Sequence, residues 1–116
     1  MSRRRIETDA LGELAIEDVY YGIHTARAVE NFAIDEERVS LAVIYAMVEI
    51  KKAAAMAHRK LNAYSAQKAD AIVLACDRVL AGEFDAKFVT HPLQGGAGTA
   101  AHMNVHEVIS IVAVEE

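Results

Sequence analysis

Between Glu36 and Leu61 the apolar residues Val39, Ala42, Val43, Ala46, Met47, Ile50, Ala53, Ala54, Ala57 and Leu61 recur at spacings of three and four. That period matches the turn of an α-helix, so the stretch is expected to form one long amphipathic helix with these side chains facing inward. Charge agrees with its direction. Asp35, Glu36 and Glu37 stand at the start and His58, Arg59 and Lys60 at the end, each sign at the dipole end that favours it. A chain of 116 residues built around such a helix is expected to be one mainly α domain over residues 1–116. Its 53% hydrophobic and 6% aromatic content supports this, because Ala, Val, Ile, Leu and Met pack well between helices.

The other elements arrange themselves around that helix. Ile6 to Ile16 carries charges and a central Gly that break any helical stripe, which predicts an extended amino-terminal arm or small hairpin turning near Gly12. From Thr25 to about Phe32, Ala26, Ala28, Val29 and Phe32 suggest a short helix with Thr25 as its cap. A further helix is expected from Ser65, as cap, to about Leu80, with Ala69, Ile72, Val73, Cys76, Val79 and Leu80 inward and Gly82 ending it. Periodicity fades from Gly82 to Gly98, around the only proline, Pro92, which reads as a loop. A last helix starts at Thr99 and runs through Met103, Val105, Val108 and Ile109. It closes on two acids with neither a Gly cap nor a basic last turn, which predicts a chain cut within an element.

Bulk chemistry narrows the function. With a net charge of −5 and acids and bases interspersed, there is no basic stripe to displace counterions from nucleic-acid phosphates. Arg3, Arg4 and Arg5 read as a solvated tail. One cysteine, Cys76, excludes an internal disulfide and, lying in an apolar run, reads as a buried core residue of a cytoplasmic protein. No stretch suits a membrane span.

Three groups of residues can carry chemistry. Gln94-Gly95-Gly96-Ala97-Gly98-Thr99 leads into a helix, where glycines admit a close ligand and free amides favour a carboxylate or phosphate. A tight turn that merely starts a helix is the competing reading; no Lys follows, as a nucleotide-binding P-loop requires. His102 and His106 share a helical face beside Glu107 but lack a third ligand, so no metal site is assigned and paired histidines on a polar face suffice. Tyr20 to Arg27 forms a polar and aromatic cluster in which Arg27 can pair with a carboxylate in bidentate fashion, or simply sit on the surface.

Together these segments resemble the aspartase/fumarase superfamily. Arg5 to Glu13, Tyr20-Tyr21-Gly22-Ile23-His24-Thr25-Ala26-Arg27, Lys51-Lys52-Ala53-Ala54-Ala55, Ala71-Ile72 to Asp77, and Gln94 to Thr99 followed by Met103-Asn104 and Glu107-Val108-Ile109 fall in the order of that family's first domain. His24-Thr25 and the Gln-Gly-Gly-Ala-Gly-Thr run look like the aspartase branch; class II fumarases typically carry Gln-Thr and Thr-Gly-Ser-Gly-Thr there.

The resemblance implies the amino-terminal domain of a mostly helical, homotetrameric lyase that eliminates ammonia from L-aspartate to give fumarate without an organic cofactor. It implies a substrate-binding set in which Thr99 bonds a dicarboxylate substrate, Gly98 shapes the approach, Asn104 supports the site and Arg27 is a carboxylate partner or organiser. Aligned donors suit such chemistry because a carboxylate charge developing in the transition state meets groups already aimed at it. The family's serine base lies on a Gly-Ser-Ser loop without counterpart here, so no catalytic base is assigned and the chain alone is expected to be inactive. Ala100 replaces a usual Ser, and His102 and His106 replace usual Asn residues. The alternatives are a class II fumarase fragment and a non-catalytic anion-binding or assembly module.

Overall fold

The computed structural model describes residues 4–17 and 20–115, so Arg3 of the arginine cluster and Glu116 of the terminal acids lie outside the described residues. The arm is a hairpin. Strands β1 (Arg4–Asp9) and β2 (Gly12–Glu17) pair antiparallel with Asp9 opposite Gly12. Gly12 has φ +115°, a conformation that side chains rarely adopt, and Asp9 Oδ1 accepts the Leu11 amide at 2.9 Å across the turn.

Among the described residues four helices follow: α1 (Ile23–Asn31), α2 (Leu41–Lys60), α3 (Ala66–Leu80) and α4 (Thr99–Glu115), with a single 3₁₀ turn at Asp85–Lys87. The mainly α expectation holds. The core lies where α2, α3 and α4 meet, and Ile44, Val48, Val79, Val105, Val108 and Val112 are all fully buried there. Helix α3 matches its expected bounds: Ser65 Oγ accepts the Lys68 amide at 3.2 Å, Cys76 and Val79 are buried, and Gly82 at φ +90° donates back to the Val79 carbonyl.

Two helix starts differ from expectation. Helix α1 begins two residues before Thr25, after Gly22, so Thr25 is a buried residue of the first turn and not its cap. Helix α2 begins at Leu41, where Ser40 Oγ accepts the Ala42 amide at 3.2 Å, and the acids at 35–37 lie in the connection before it.

The inward face of α2 also differs. Its buried residues are Ile44, Val48 and Ala55, and of the predicted stripe only Val39, just ahead of the helix, and Met47 pack against the core. Val43, Ile50 and Leu61 are 46%, 69% and 76% exposed. The apolar period is real, but most of the stripe faces away from α3 and α4. Lys51 and Lys52 stand half-buried on the core side, a position that long aliphatic stems tolerate with the ammonium at the rim.

The connection from Gly82 to Gly98 has no regular structure apart from the 3₁₀ turn, as expected, yet much of it is inside. Phe84, Phe88, Thr90 and His91 are buried, so it is a strap laid into the core edge that delivers the chain to the start of α4.

Candidate functional site

The glycine-rich segment is an exposed turn immediately ahead of α4. Gly96, Ala97 and Gly98 all have positive φ, at +105°, +56° and +86°. Three consecutive residues in that region reverse the chain tightly, and glycine at two of the three lowers the cost. A methyl group at Gly95 or Gly98 would meet nothing within 4 Å, so the glycines there leave open space above the backbone. Thr99, first residue of α4, is exposed and donates its hydroxyl to the Gly96 carbonyl at 2.6 Å, while its amide bonds the same carbonyl at 3.1 Å. The hydroxyl thus donates within the turn.

The turn is held by the strap, and the strap by Asn104. Completely buried one turn into α4, Asn104 accepts the Val89 amide at 2.9 Å through Oδ1 and donates Nδ2 to the Lys87 carbonyl at 3.1 Å. Further along, Thr90 O accepts the Val39 amide, and His91 Nε2 meets Asp35 Oδ1 at 2.8 Å. His91 Nδ1 accepts the Leu93 amide at 3.1 Å, and the His91 carbonyl accepts the Gln94 amide, which turns the chain at Pro92 toward the glycines. Asn104 therefore acts behind the exposed turn as a clamp on its approach.

Arg27 is in the framework too. Its Nε donates to Asp9 Oδ2 at 2.8 Å and its Nη2 to the Gly12 carbonyl at 3.2 Å, fastening α1 to the hairpin. The bond from Arg27 holds the Asp9 carboxyl below its ordinary value, with a smaller contribution from the Leu11 amide. Of the four predicted binding residues, Gly98 and Thr99 thus meet at one exposed turn, whereas Asn104 and Arg27 have their polar atoms engaged by the protein itself.

Sequence reading missed the role of Glu107. From α4 its carboxylate accepts the His24 amide at 3.2 Å, the Thr25 amide at 2.9 Å and the Thr25 hydroxyl at 2.5 Å, capping α1 from another helix. Glu7 of β1 accepts the neighbouring Ile23 amide at 3.0 Å. Two carboxylates at one helix start satisfy the free amides and complement the dipole. They join the hairpin, α1 and α4 at one point, and a methyl at residue 22 would lie 2.2 Å from Glu107 Oε2 where that carboxylate now stands.

Neither of two side-chain clusters has the donor set of a metal site. Among the described residues Asp35, Glu37 and His91 bring ligand atoms within 4.8 Å of one another. Ligation through His91 Nε2 would require the proton on Nδ1, where the Leu93 N–H already points, so this is a hydrogen-bond chain. His102 and His106 gain no third ligand among the described residues. His102 Nε2 instead lies 3.2 Å from Lys51 Nζ, and the charge of Lys51, with lesser help from burial and His106, pulls the imidazole below its ordinary value.

Comparison with known proteins places these features. The profile of a family described as "Lyase" matches residues 14–116. Over 116 aligned residues the chain is 49% identical to aspartate ammonia-lyase of Corynebacterium glutamicum, covering 96% of this chain and 22% of that protein. It is 45% identical to class II fumarate hydratase of Staphylococcus epidermidis, covering 96% of this chain and 24% of the relative. Among solved structures it superimposes on a fumarate lyase:delta crystallin of Brucella melitensis with TM-score 0.90 at 45% identity, over 99% of this chain and 27% of that one. It also superimposes on a class II fumarase of Schistosoma mansoni with TM-score 0.92 at 38% identity, over 97% of this chain and 24% of that one. The chain therefore spans about a quarter of the length of these proteins.

Proposed function

We propose, from the premise that this chain belongs to the lyase family its sequence matches over residues 14–116, that it forms the amino-terminal part of an enzyme eliminating ammonia from L-aspartate to give fumarate. The observation that carries the reading is the exposed, glycine-lined turn with Thr99 at the start of a 17-residue helix. A substrate carboxylate arriving there accepts the Thr99 hydroxyl hydrogen bond in place of the Gly96 carbonyl, and the positive end of α4 favours the charge. Removal of the proton beside that carboxylate would place further negative charge on its oxygens, where a fixed donor is worth more than in water. Asn104 then serves the reaction by holding the strap, and Arg27 by holding α1 against the hairpin.

The aspartase branch is favoured by His24-Thr25 and by the Gln94 to Thr99 run. The comparable identity to a class II fumarate hydratase supports the second reading, in which water replaces ammonia as leaving group. The base would come from chain outside these residues. A cytoplasmic homotetramer is proposed with it, supported by the buried thiol of Cys76 and the exposed apolar seam of α2. No helix of the described residues is long and apolar enough to cross a membrane.

A graft tests this. In place of the corresponding quarter of the Corynebacterium aspartate ammonia-lyase, the chain should support release of fumarate from aspartate, and Thr99→Val in the graft should lower kcat by about 100-fold. The isolated chain should release none. Full activity of the Thr99→Val graft would remove the role given to the turn; activity only on malate, in a parallel fumarase graft, would move the assignment to the second reading.

A further inference from the structure

South of the glycine turn along α4, the residues His102, His106 and Ser110 follow at helical spacing, and α2 faces them with Lys51 and His58. Between these helices and α3 lies a pocket of about 270 Å³. Its floor is apolar, formed by Ala54, Ala55, Ile72 and Ile109, and its polar groups are Lys51, His58, His106, Tyr64 and Ser110. Among the described residues no carboxylate lines it. The Tyr64 ring stands tilted on His58 with centroids 4.7 Å apart, which fixes one wall.

Lys51 is the electrostatic centre of this groove. The adjacent Lys52 is neutralised by Asp77 at 2.7 Å, but among the described residues Lys51 meets no carboxylate, and its one polar neighbour is the His102 ring nitrogen at 3.2 Å. Its stem is half-buried and its ammonium stands at the rim, where an anion can pair with it directly. Here the pairing position opens onto a pocket whose other polar groups, imidazole N–H and hydroxyl, can also donate to an anion. The apolar floor selects further: a bare oxyanion gains nothing from it, whereas an organic acid places its hydrocarbon body there and its charge at the rim. The volume suits a ring or short chain of a few carbons.

We propose that the α2–α4 groove is a second ligand site, separate from the Thr99 turn, that binds a small organic monocarboxylate with an apolar body, its carboxylate on Lys51 and His106 and its body over Ala54, Ala55 and Ile109. Benzoate is the probe. Titrated into the chain labelled for histidine ring signals, it should move His58 and His106 saturably, with affinity reduced at least about tenfold by Lys51→Met or His106→Leu, the loss of one charge-assisted bond. Thr99→Val should leave the titration unchanged. Among the described residues neither the Lys51 nor the His106 side chain hydrogen-bonds to backbone, and circular dichroism of each variant verifies that the fold is kept. Absence of a saturable shift, or one abolished by Thr99→Val and indifferent to Lys51→Met, would overturn the proposal. Inorganic phosphate should not compete; equal competition by phosphate would overturn the assignment of an organic acid.

Discussion

Substituting Gly22 by Ala tests whether Glu107 ties α1 to α4. The backbone at residue 22 has φ −108° and ψ −165°, which any residue adopts, so the substitution carries no torsional cost. What it carries is a collision: an added methyl would lie 2.2 Å from Glu107 Oε2, 2.8 Å from the same carboxyl carbon and 2.9 Å from Glu7 Oε1. Relief requires Glu107 to withdraw from the His24 and Thr25 amides and the Thr25 hydroxyl. Hydrogen bonds to a charged group contribute about 1.5–3 kcal/mol each, and with water replacing part of all three the net loss is about 3 kcal/mol. The ordinary preference of Gly over Ala at a helix start is about 1 kcal/mol or less. Urea unfolding followed by far-UV circular dichroism, on Gly22→Ala, Glu107→Ala and the double variant, separates the two effects. Each single change should cost about 3 kcal/mol, while the double change should cost about 2 kcal/mol less than their sum, because the clash disappears with the carboxylate. A Gly22→Ala loss at or below about 1 kcal/mol, or strict additivity, would refute the tie.

Two further outcomes follow from the same geometry. Asn104→Leu, which removes the acceptor for Val89 and the donor to Lys87 inside the core, should destabilise by about 2–4 kcal/mol and expose the Val89 amide to rapid hydrogen exchange, measured by mass spectrometry or NMR. In the acid range, the Asp9 carboxyl, held low by Arg27, contributes stability that is present above its unfolded value and is lost as pH falls through its folded value. Asp9→Asn should therefore flatten the fall in thermal midpoint below about pH 4 and leave its slope near neutrality unchanged.

Much of this architecture is legible in sequence because its causes are local. Gly12 turns the hairpin, Ser65 caps α3 and Gly82 ends it, each by a conformational preference or a bond within a few residues. The cap of α1 was missed because its acceptor lies 82 residues away from Thr25, at a distance no local rule spans. Periodicity found α2 but misjudged its face: a 3.6-residue repeat says that a stripe exists and is silent on what covers it, and Lys51 and Lys52 on the covered side disguised the true one. At the candidate site the glycine turn was visible, since positive φ selects glycine. The duties of Asn104 and Arg27 were not, because an amide or guanidinium suits a substrate and a backbone carbonyl equally well.

The Asn104 clamp has a consequence for binding entropy. Its bond to Lys87 closes a segment spanning 17 positions, and the glycine turn lies inside that closed ring. Fixing the ends of a segment that length removes part of its conformational freedom when the protein folds, before any ligand arrives. A guest at Thr99 therefore meets a turn whose ordering cost was met by the core, and affinity lost on cutting the ring at Asn104 would appear chiefly as unfavourable entropy, with the contacts at Thr99 themselves intact.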